Sequence, residues 1–271
     1  MARWVVFTDL DGSLLELDTY SYQLAQPAVE LLRARQIPLV FCSSKTRAEQ
    51  EFYRRKLGVD APFVVENGSA IFIPQGYFDF TFPRQRSVPG YDVIELGAPA
   101  AAIRQAIAEI RTGLGLACYG YADLPLADIS RLTGLDVDAA QRAGRREYSE
   151  TLLKSDITPA AWRQFQTALA HTGLAGVAGS RFYTITGAGS DKGQATVLLA
   201  GLFRRKFGVI ATVGLGDSPN DEPLLAAVDH PFLVQQPGGR WAGLNLPRLE
   251  KVAGVGPAGW QSVIFKLFPD G

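Results

Sequence analysis

Apolar and polar positions along the chain fall into short strand-like runs separated by stretches of helical periodicity. Residues 3–8, 37–42 and 62–65 are apolar runs bounded by polar turns, and residues 27–35 and 46–57 between them fit helices. Strands alternating with helices predict a parallel sheet covered by helices. After an aromatic, proline-containing stretch at 74–89, which reads as a connector, the pattern changes. Strand-like runs at 91–96, 116–121, 147–153, 175–178 and 182–186 mix with helical stretches at 99–112, 124–132, 137–145 and 159–172. Ile103, Ile107 and Ile110 fall at spacings of four and three and line one apolar stripe. This mixture predicts an α+β unit with helices on one sheet face. The first pattern then resumes, with a helix over 191–206, a strand over 209–215, a helix over 219–227, a strand over 231–235 and a last helix near 258–268. The expected architecture is an α/β core, residues 1–82 and 189–271, interrupted by an inserted α+β unit, residues 83–188.

Composition narrows the range of partners. Acidic and basic residues balance at 27 each, so the chain carries no electrostatic footprint for nucleic acid or an anionic membrane. The basic run Arg142-Ala143-Gly144-Arg145-Arg146 is short and reads as a solvated helix face. Cys42 and Cys118 lie far apart in apolar runs and build no disulfide framework. His171 and His230 leave no histidine zinc site and no Ser-His-Asp triad. The N-terminus enters a strand without a signal-peptide core, and no apolar run reaches membrane-spanning length. A soluble cytoplasmic protein is expected.

Four segments carry candidate chemistry. In Val5-Val6-Phe7-Thr8-Asp9-Leu10-Asp11-Gly12-Ser13, two carboxylates stand two residues apart where an apolar strand ends. Strand side chains repeat every second residue, so Asp9 and Asp11 share a face. Their repulsion calls for a cation, a shared proton or a reaction. In Pro38-Leu39-Val40-Phe41-Cys42-Ser43-Ser44-Lys45-Thr46-Arg47, a buried strand ends in hydroxyls; Ser43 either caps the next helix or faces a ligand. In Ser190-Asp191-Lys192-Gly193, a lysine occupies a first helical turn, against the macrodipole, which points to a nearby anion. In Gly214-Leu215-Gly216-Asp217-Ser218-Pro219-Asn220-Asp221, Asp217 and Asp221 flank a turn into a helix.

In this order the four segments resemble the haloacid dehalogenase superfamily, with Ser13 where threonine is more usual. The resemblance implies a Rossmann-like core with a larger α/β cap inserted between the second and third motifs. It implies Mg²⁺ held by Asp9, Asp217 and the backbone carbonyl of Asp11, with Asp221 on a coordinated water or holding the loop. Asp9 is then the nucleophile that becomes an aspartyl-phosphate, and Asp11 the general acid and base. Ser43 donates to a phosphoryl oxygen and Lys192 neutralises developing charge.

Further segments are similar to one family within it, the mannosyl-3-phosphoglycerate phosphatases: Ser44-Lys45-Thr46-Arg47, Val65-Glu66-Asn67-Gly68, Arg131-Leu132-Thr133-Gly134-Leu135, Arg146-Glu147-Tyr148-Ser149-Glu150-Thr151 and Gly179-Ser180-Arg181-Phe182-Tyr183. That likeness implies a small phosphorylated sugar-glycerate substrate. Arg181 would hold its carboxylate, Lys45 and Asn67 would reach the phosphoglycerate end, and Glu147, Tyr148 and Glu150 would bind sugar hydroxyls. The alternatives are an ion pair for Arg181 within the cap and surface decoration for the glutamates. On a regular strand only one of Glu147 and Glu150 faces the sugar. Glucosyl-3-phosphoglycerate or sucrose 6-phosphate keeps the chemistry and changes the substrate. An aspartyl-phosphate signalling receiver is disfavoured by Asp11 and by the insertion, and a non-catalytic binding protein by the complete motif set.

Overall fold

A computed structural model describes residues 2–179 and 182–269. The first stretch forms β1 (Arg3–Thr8), α1 (Gln26–Ala34), β2 (Leu39–Phe41), α2 (Arg47–Leu57), β3 (Phe63–Val65), β4 (Ala70–Pro74), β5 (Arg86–Val88) and β6 (Tyr91–Glu95). The middle forms α3 (Ala100–Leu114), α4 (Leu126–Thr133), α5 (Val137–Gly144), β7 (Ser149–Leu153), α6 (Pro159–His171), β8 (Leu174–Ala178) and β9 (Phe182–Gly187). The last stretch forms α7 (Lys192–Phe207), β10 (Ile210–Gly216), α8 (Glu222–Ala226), β11 (His230–Gln235), β12 (Glu250–Val255) and α9 (Pro257–Leu267).

The core sheet runs β12-β11-β10-β1-β2, with every neighbouring pair parallel. β3 extends this layer through a single parallel bridge, Cys42 to Val64. Both sheet faces are covered, which is why β1 is apolar at consecutive positions. Val6 packs into a cluster with Leu32 of α1 and Trp260 of α9, whereas Val5 and Phe7 pack opposite, with Leu199 and Phe203 of α7.

Between core and insertion the structure departs from the expected pattern. The run at 91–96 becomes β6, which pairs antiparallel with β4 in a sheet ordered β3-β4-β6-β5. The connector at 74–89 therefore contains an edge strand, β5. The run at 116–121 makes only one bridge, Gly120 to Leu152. The Asp123 carboxylate accepts the Gly120 N–H at 3.0 Å and turns the chain away from the ladder. β12 was not expected; its mixed exposure lacks a clean alternation. The helix at 219–227 splits into a 3₁₀ turn, Pro219–Asp221, and the short α8.

The insertion folds as an antiparallel sheet, β7-β9-β8, with α3 and α6 on one face. The stripe Ile103, Ile107 and Ile110 lies in that core with Leu152, Phe165, Tyr183 and Ile185. Side-chain alternation then sends Thr151 and Thr184 to the other face. α5 sits against α2, where the Thr46 hydroxyl donates to the Arg142 carbonyl at 2.8 Å. Among the described residues no helix is long and apolar enough to cross a membrane.

Candidate active site

Strand register assembles the carboxylates. Thr8 pairs with Leu215 across β1 and β10, and the Asp9 N–H donates to the Leu215 carbonyl at 2.9 Å. Asp9, one residue beyond Thr8, and Asp217, two beyond Leu215, emerge together at the carboxyl edge of the sheet, where ligands of open α/β sheets bind. Gly12 permits the close approach: its φ is +76°, and a Cβ there would lie 2.7 Å from Asp217 Oδ2. Asp9, Asp217 and Asp221 are all buried, and one oxygen from each lies within 4.8 Å of the others.

Lys192 supplies the facing cation. Asp191 caps α7 by accepting the Gln194 N–H at 2.8 Å, which puts Lys192 in the first turn. Its Nζ donates to Asp9 Oδ1 at 2.8 Å and to Asp221 Oδ1 at 2.6 Å. The anion anticipated from the misplaced lysine is therefore this pair. Asp221 Oδ2 accepts the N–H groups of Asp217 and Ser218 at 3.0 and 3.1 Å, so both its oxygens are engaged and the loop is fixed. Gln236 donates to the Asp217 carbonyl at 2.9 Å and to its Oδ2 at 3.3 Å.

Burial and crowding set the proton affinities. Burial, then the charge of Asp221, pushes the Asp9 carboxyl up to about 7. Burial, then Asp9 and Asp221, pushes Asp217 up to about 8. Burial opposes the Lys192 charge, but Asp221 and Asp9 outweigh it and hold the ammonium above its ordinary range. A carboxylate set this reluctant to ionise alone suits a bound cation, and hard oxygen donors suit Mg²⁺.

Ser43 lies at the end of β2, fully buried, with its N–H on the Val64 carbonyl at 3.2 Å. Thr46, not Ser43, caps α2, in a capping box with Glu49. Asn67 donates its N–H to the Ser43 carbonyl at 3.0 Å. Gly68, with φ +95°, abuts the Asp191 backbone so closely that a Cβ would lie 2.1 Å from its carbonyl carbon. The Asn67 loop thus lies between Ser43 and the start of α7.

A cavity of about 670 Å³ opens over this edge, lined on the core side by Asp11, Tyr20, Ser44 and Lys45 and on the insertion side by Arg146, Thr151, Phe182 and Thr184. Asp11 and Lys45 form an ion pair at 3.0 Å, and Lys45 also faces Glu49 at 3.5 Å. A second cavity, about 630 Å³, lies near α1 and β2 and contains none of the four motif carboxylates.

Over 98% of its length the chain is 41% identical to the glucosyl-3-phosphoglycerate/mannosyl-3-phosphoglycerate phosphatase of Methanococcoides burtonii, covering 97% of that relative. The chain belongs to the mannosyl-3-phosphoglycerate phosphatase family of the haloacid dehalogenase superfamily. A profile of haloacid dehalogenase-like hydrolases matches residues 6–80. The mannosyl-3-phosphoglycerate phosphatase of Pyrococcus horikoshii is 39% identical over 85% of this chain and 90% of its own. A haloacid dehalogenase-like hydrolase from Bacteroides thetaiotaomicron superposes with a TM-score of 0.65, at 12% identity, over 99% of this chain and all of the other (100%), a likeness of fold.

For this member of the haloacid dehalogenase superfamily, several expected contacts are corrected. Glu150 faces away from the cavity: Leu152 lies on the helix-packed face, so Glu150 shares it and accepts from Arg104 Nε at 2.6 Å. Glu147 is held by Arg47 Nε at 2.7 Å and Arg86 Nη2 at 3.0 Å. Tyr148 is buried in the core, its hydroxyl donating to Glu95 at 2.7 Å. None of the three lines the cavity. The Asp11 side chain turns to Lys45 and stands outside the three-carboxylate group. Arg181 lies outside the described residues. Sequence reading missed Gln236, Arg146, Thr151 and Glu66. Strand alternation through Glu150-Thr151-Leu152 contained the signal for Thr151; Gln236 and Glu66 act through partners 19 and 81 residues away, Asp217 and Glu147.

Proposed function

We propose that this protein hydrolyses 2-O-mannosyl-3-phosphoglycerate to mannosylglycerate and phosphate, and that it also accepts the glucosyl ester. The observation that carries the chemistry is the buried group Asp9, Asp217 and Asp221, bound to Lys192 and lying beside Asp11, which lines the 670 Å³ cavity. Support for the substrate comes from the relatives, which are named for these esters.

Asp9 and Asp217 would hold Mg²⁺, with Asp221 fixing the loop. When bound, the ion neutralises the phosphoryl oxygens and so admits an anionic nucleophile. Asp9 attacks phosphorus while Asp11 gives its proton to the leaving glycerate oxygen, and the phosphoryl group is transferred to Asp9. Asp11, now a carboxylate, takes a proton from water, which attacks the same phosphorus and restores Asp9. Lys192 and Ser43 stabilise charge on the phosphoryl oxygens. The unit inserted after β6, from about residue 98 to 188, caps the site and excludes water.

The test is phosphate release with Mg²⁺ from mannosyl- and glucosyl-3-phosphoglycerate, beside 3-phosphoglycerate and sucrose 6-phosphate. Preference for the glycosyl-phosphoglycerates, lost with chelator, is expected. Turnover of sucrose 6-phosphate alone, or turnover indifferent to chelator, contradicts the proposal.

A further inference from the structure

Arg146 and Thr151 line the cap side of the 670 Å³ cavity, and among the described residues the buried atoms Arg146 Nε and Thr151 Oγ1 have no hydrogen-bond partner. A buried donor left unmet is costly, so such atoms mark places where a ligand completes the bonding. Thr151 faces the cavity because its strand neighbours face the helices of the insertion. Arg146 is fixed along its other edge. Its Nη1 donates to Ser149 Oγ at 2.9 Å, and Ser149 in turn donates to the buried carboxylate of Glu66. Its guanidinium carbon lies 5.5 Å from the Tyr121 ring centroid. Across the cavity, the Lys45 charge is already met by Asp11 and Glu49.

We propose that Arg146 and Thr151 form the subsite for the carboxylate of the substrate's glycerate group and so set specificity for it. This rests on the phosphoglycerate-ester reading above. A carboxylate only accepts hydrogen bonds, and the two open groups are a guanidinium N–H and a hydroxyl, both able to donate. The Glu66 carboxylate already faces the guanidinium from the Ser149 side, so it is the open Nε and hydroxyl, rather than unbalanced charge, that select an acceptor-only group. Glu66 also accepts the N–H groups of Glu147 and Tyr148 at 2.9 and 3.1 Å. Arg146 is thereby kept in register with the Asn67 loop, and hence with Ser43 and Lys192.

The experiment compares two esters that differ at one carbon, 2-O-mannosyl-3-phosphoglycerate and 2-O-mannosylglycerol 3-phosphate, in which a hydroxymethyl group replaces the carboxylate. Wild type should prefer the first. Arg146→Gln should lower kcat/KM for the carboxylate ester by about 10–100-fold, mainly through KM, and for the hydroxymethyl ester at least tenfold less. Arg146→Lys should recover part of the loss. Thr151→Val, nearly isosteric, should narrow the preference in the same direction and carries the test if Arg146→Gln does not fold. Equal losses on both esters in Arg146→Gln and Thr151→Val would overturn the subsite, since a sugar contact or a structural role predicts that result. A wild type that hydrolyses neither ester would remove the functional reading and the subsite with it. A wild type that hydrolyses both without preference would remove the subsite alone.

Discussion

Replacing Lys192 with methionine tests the electrostatics of the site. The ammonium is 1% exposed and bonds two buried carboxylates, Asp9 and Asp221. Methionine keeps much of the stem and removes the charge. Breaking a buried ion pair from one side costs roughly 3–5 kcal/mol, because the remaining charge is uncompensated. In a chain of this size that corresponds to a fall in Tm of roughly 6–20 °C. The loss should depend on pH. Asp9 and Asp217 hold protons more tightly folded, at about 7 and about 8, than at their ordinary value of 3.8. Their contribution to stability is complete below that ordinary value and is lost as pH rises through about 7 to about 8. Metal-free Lys192→Met should therefore be damaged more at pH ~8.5 than at pH ~6. Saturating Mg²⁺ should restore much of the difference by supplying positive charge, while turnover stays about 10²–10³-fold low. Thermal melts at both pH values, with Mg²⁺ and with chelator, measure all of this. A Tm loss independent of both pH and Mg²⁺ would show that Lys192 acts through packing and refute the reasoning.

Three other perturbations separate the roles of neighbouring residues. Gly12→Ala places a methyl at positive φ against Asp217, so stability should fall by about 1–2 kcal/mol and the Mg²⁺ concentration for half-maximal activity should rise; an unchanged Mg²⁺ titration argues against the cradle. Asp11→Asn removes the acid and base but spares the nucleophile, so p-nitrophenyl phosphate should give a burst of nitrophenol followed by turnover about 10²–10⁴-fold slow, and undiminished steady turnover would remove Asp11 from the role. Glu150→Gln weakens the bond to Arg104, so it should lower stability by about 1.5–3 kcal/mol and leave KM for the mannosyl ester unchanged; a raised KM with an unchanged Tm would restore Glu150 to the sugar.

The clustering of Asp9, Asp217, Asp221 and Lys192 was legible because each sits at a strand end or helix start with a local signature. Asp9 and Asp217 were placed by two apolar runs that the register of β1 and β10 brings together. Lys192 was legible as a charge on the wrong end of a helix. The cap was legible as a change of pattern, but its edge was not. Residues 91–96 look the same whether they pair with β4 or with an insertion strand, since pairing partners leave no local mark. The sugar contacts failed for a similar reason. Glu147 and Tyr148 are polar residues near a motif, yet Arg47, Arg86 and Glu95 engage them, and those partners are 53 to 100 residues away. Arg146 reads in the sequence as one member of a solvated basic run, and only the fold sets it in the cavity wall with its Nε buried.

The central claim is that Asp9 carries the phosphoryl group during hydrolysis. The most direct measurement is acid quenching of the enzyme during turnover of mannosyl-3-phosphoglycerate with Mg²⁺, followed by mass analysis of the peptide containing residue 9. A phosphoryl group on Asp9, present with Mg²⁺ and absent after chelation and in Asp9→Asn, is the expected result. Steady phosphate release from Asp9→Asn, with no phosphoryl group on the wild-type peptide, would contradict the account.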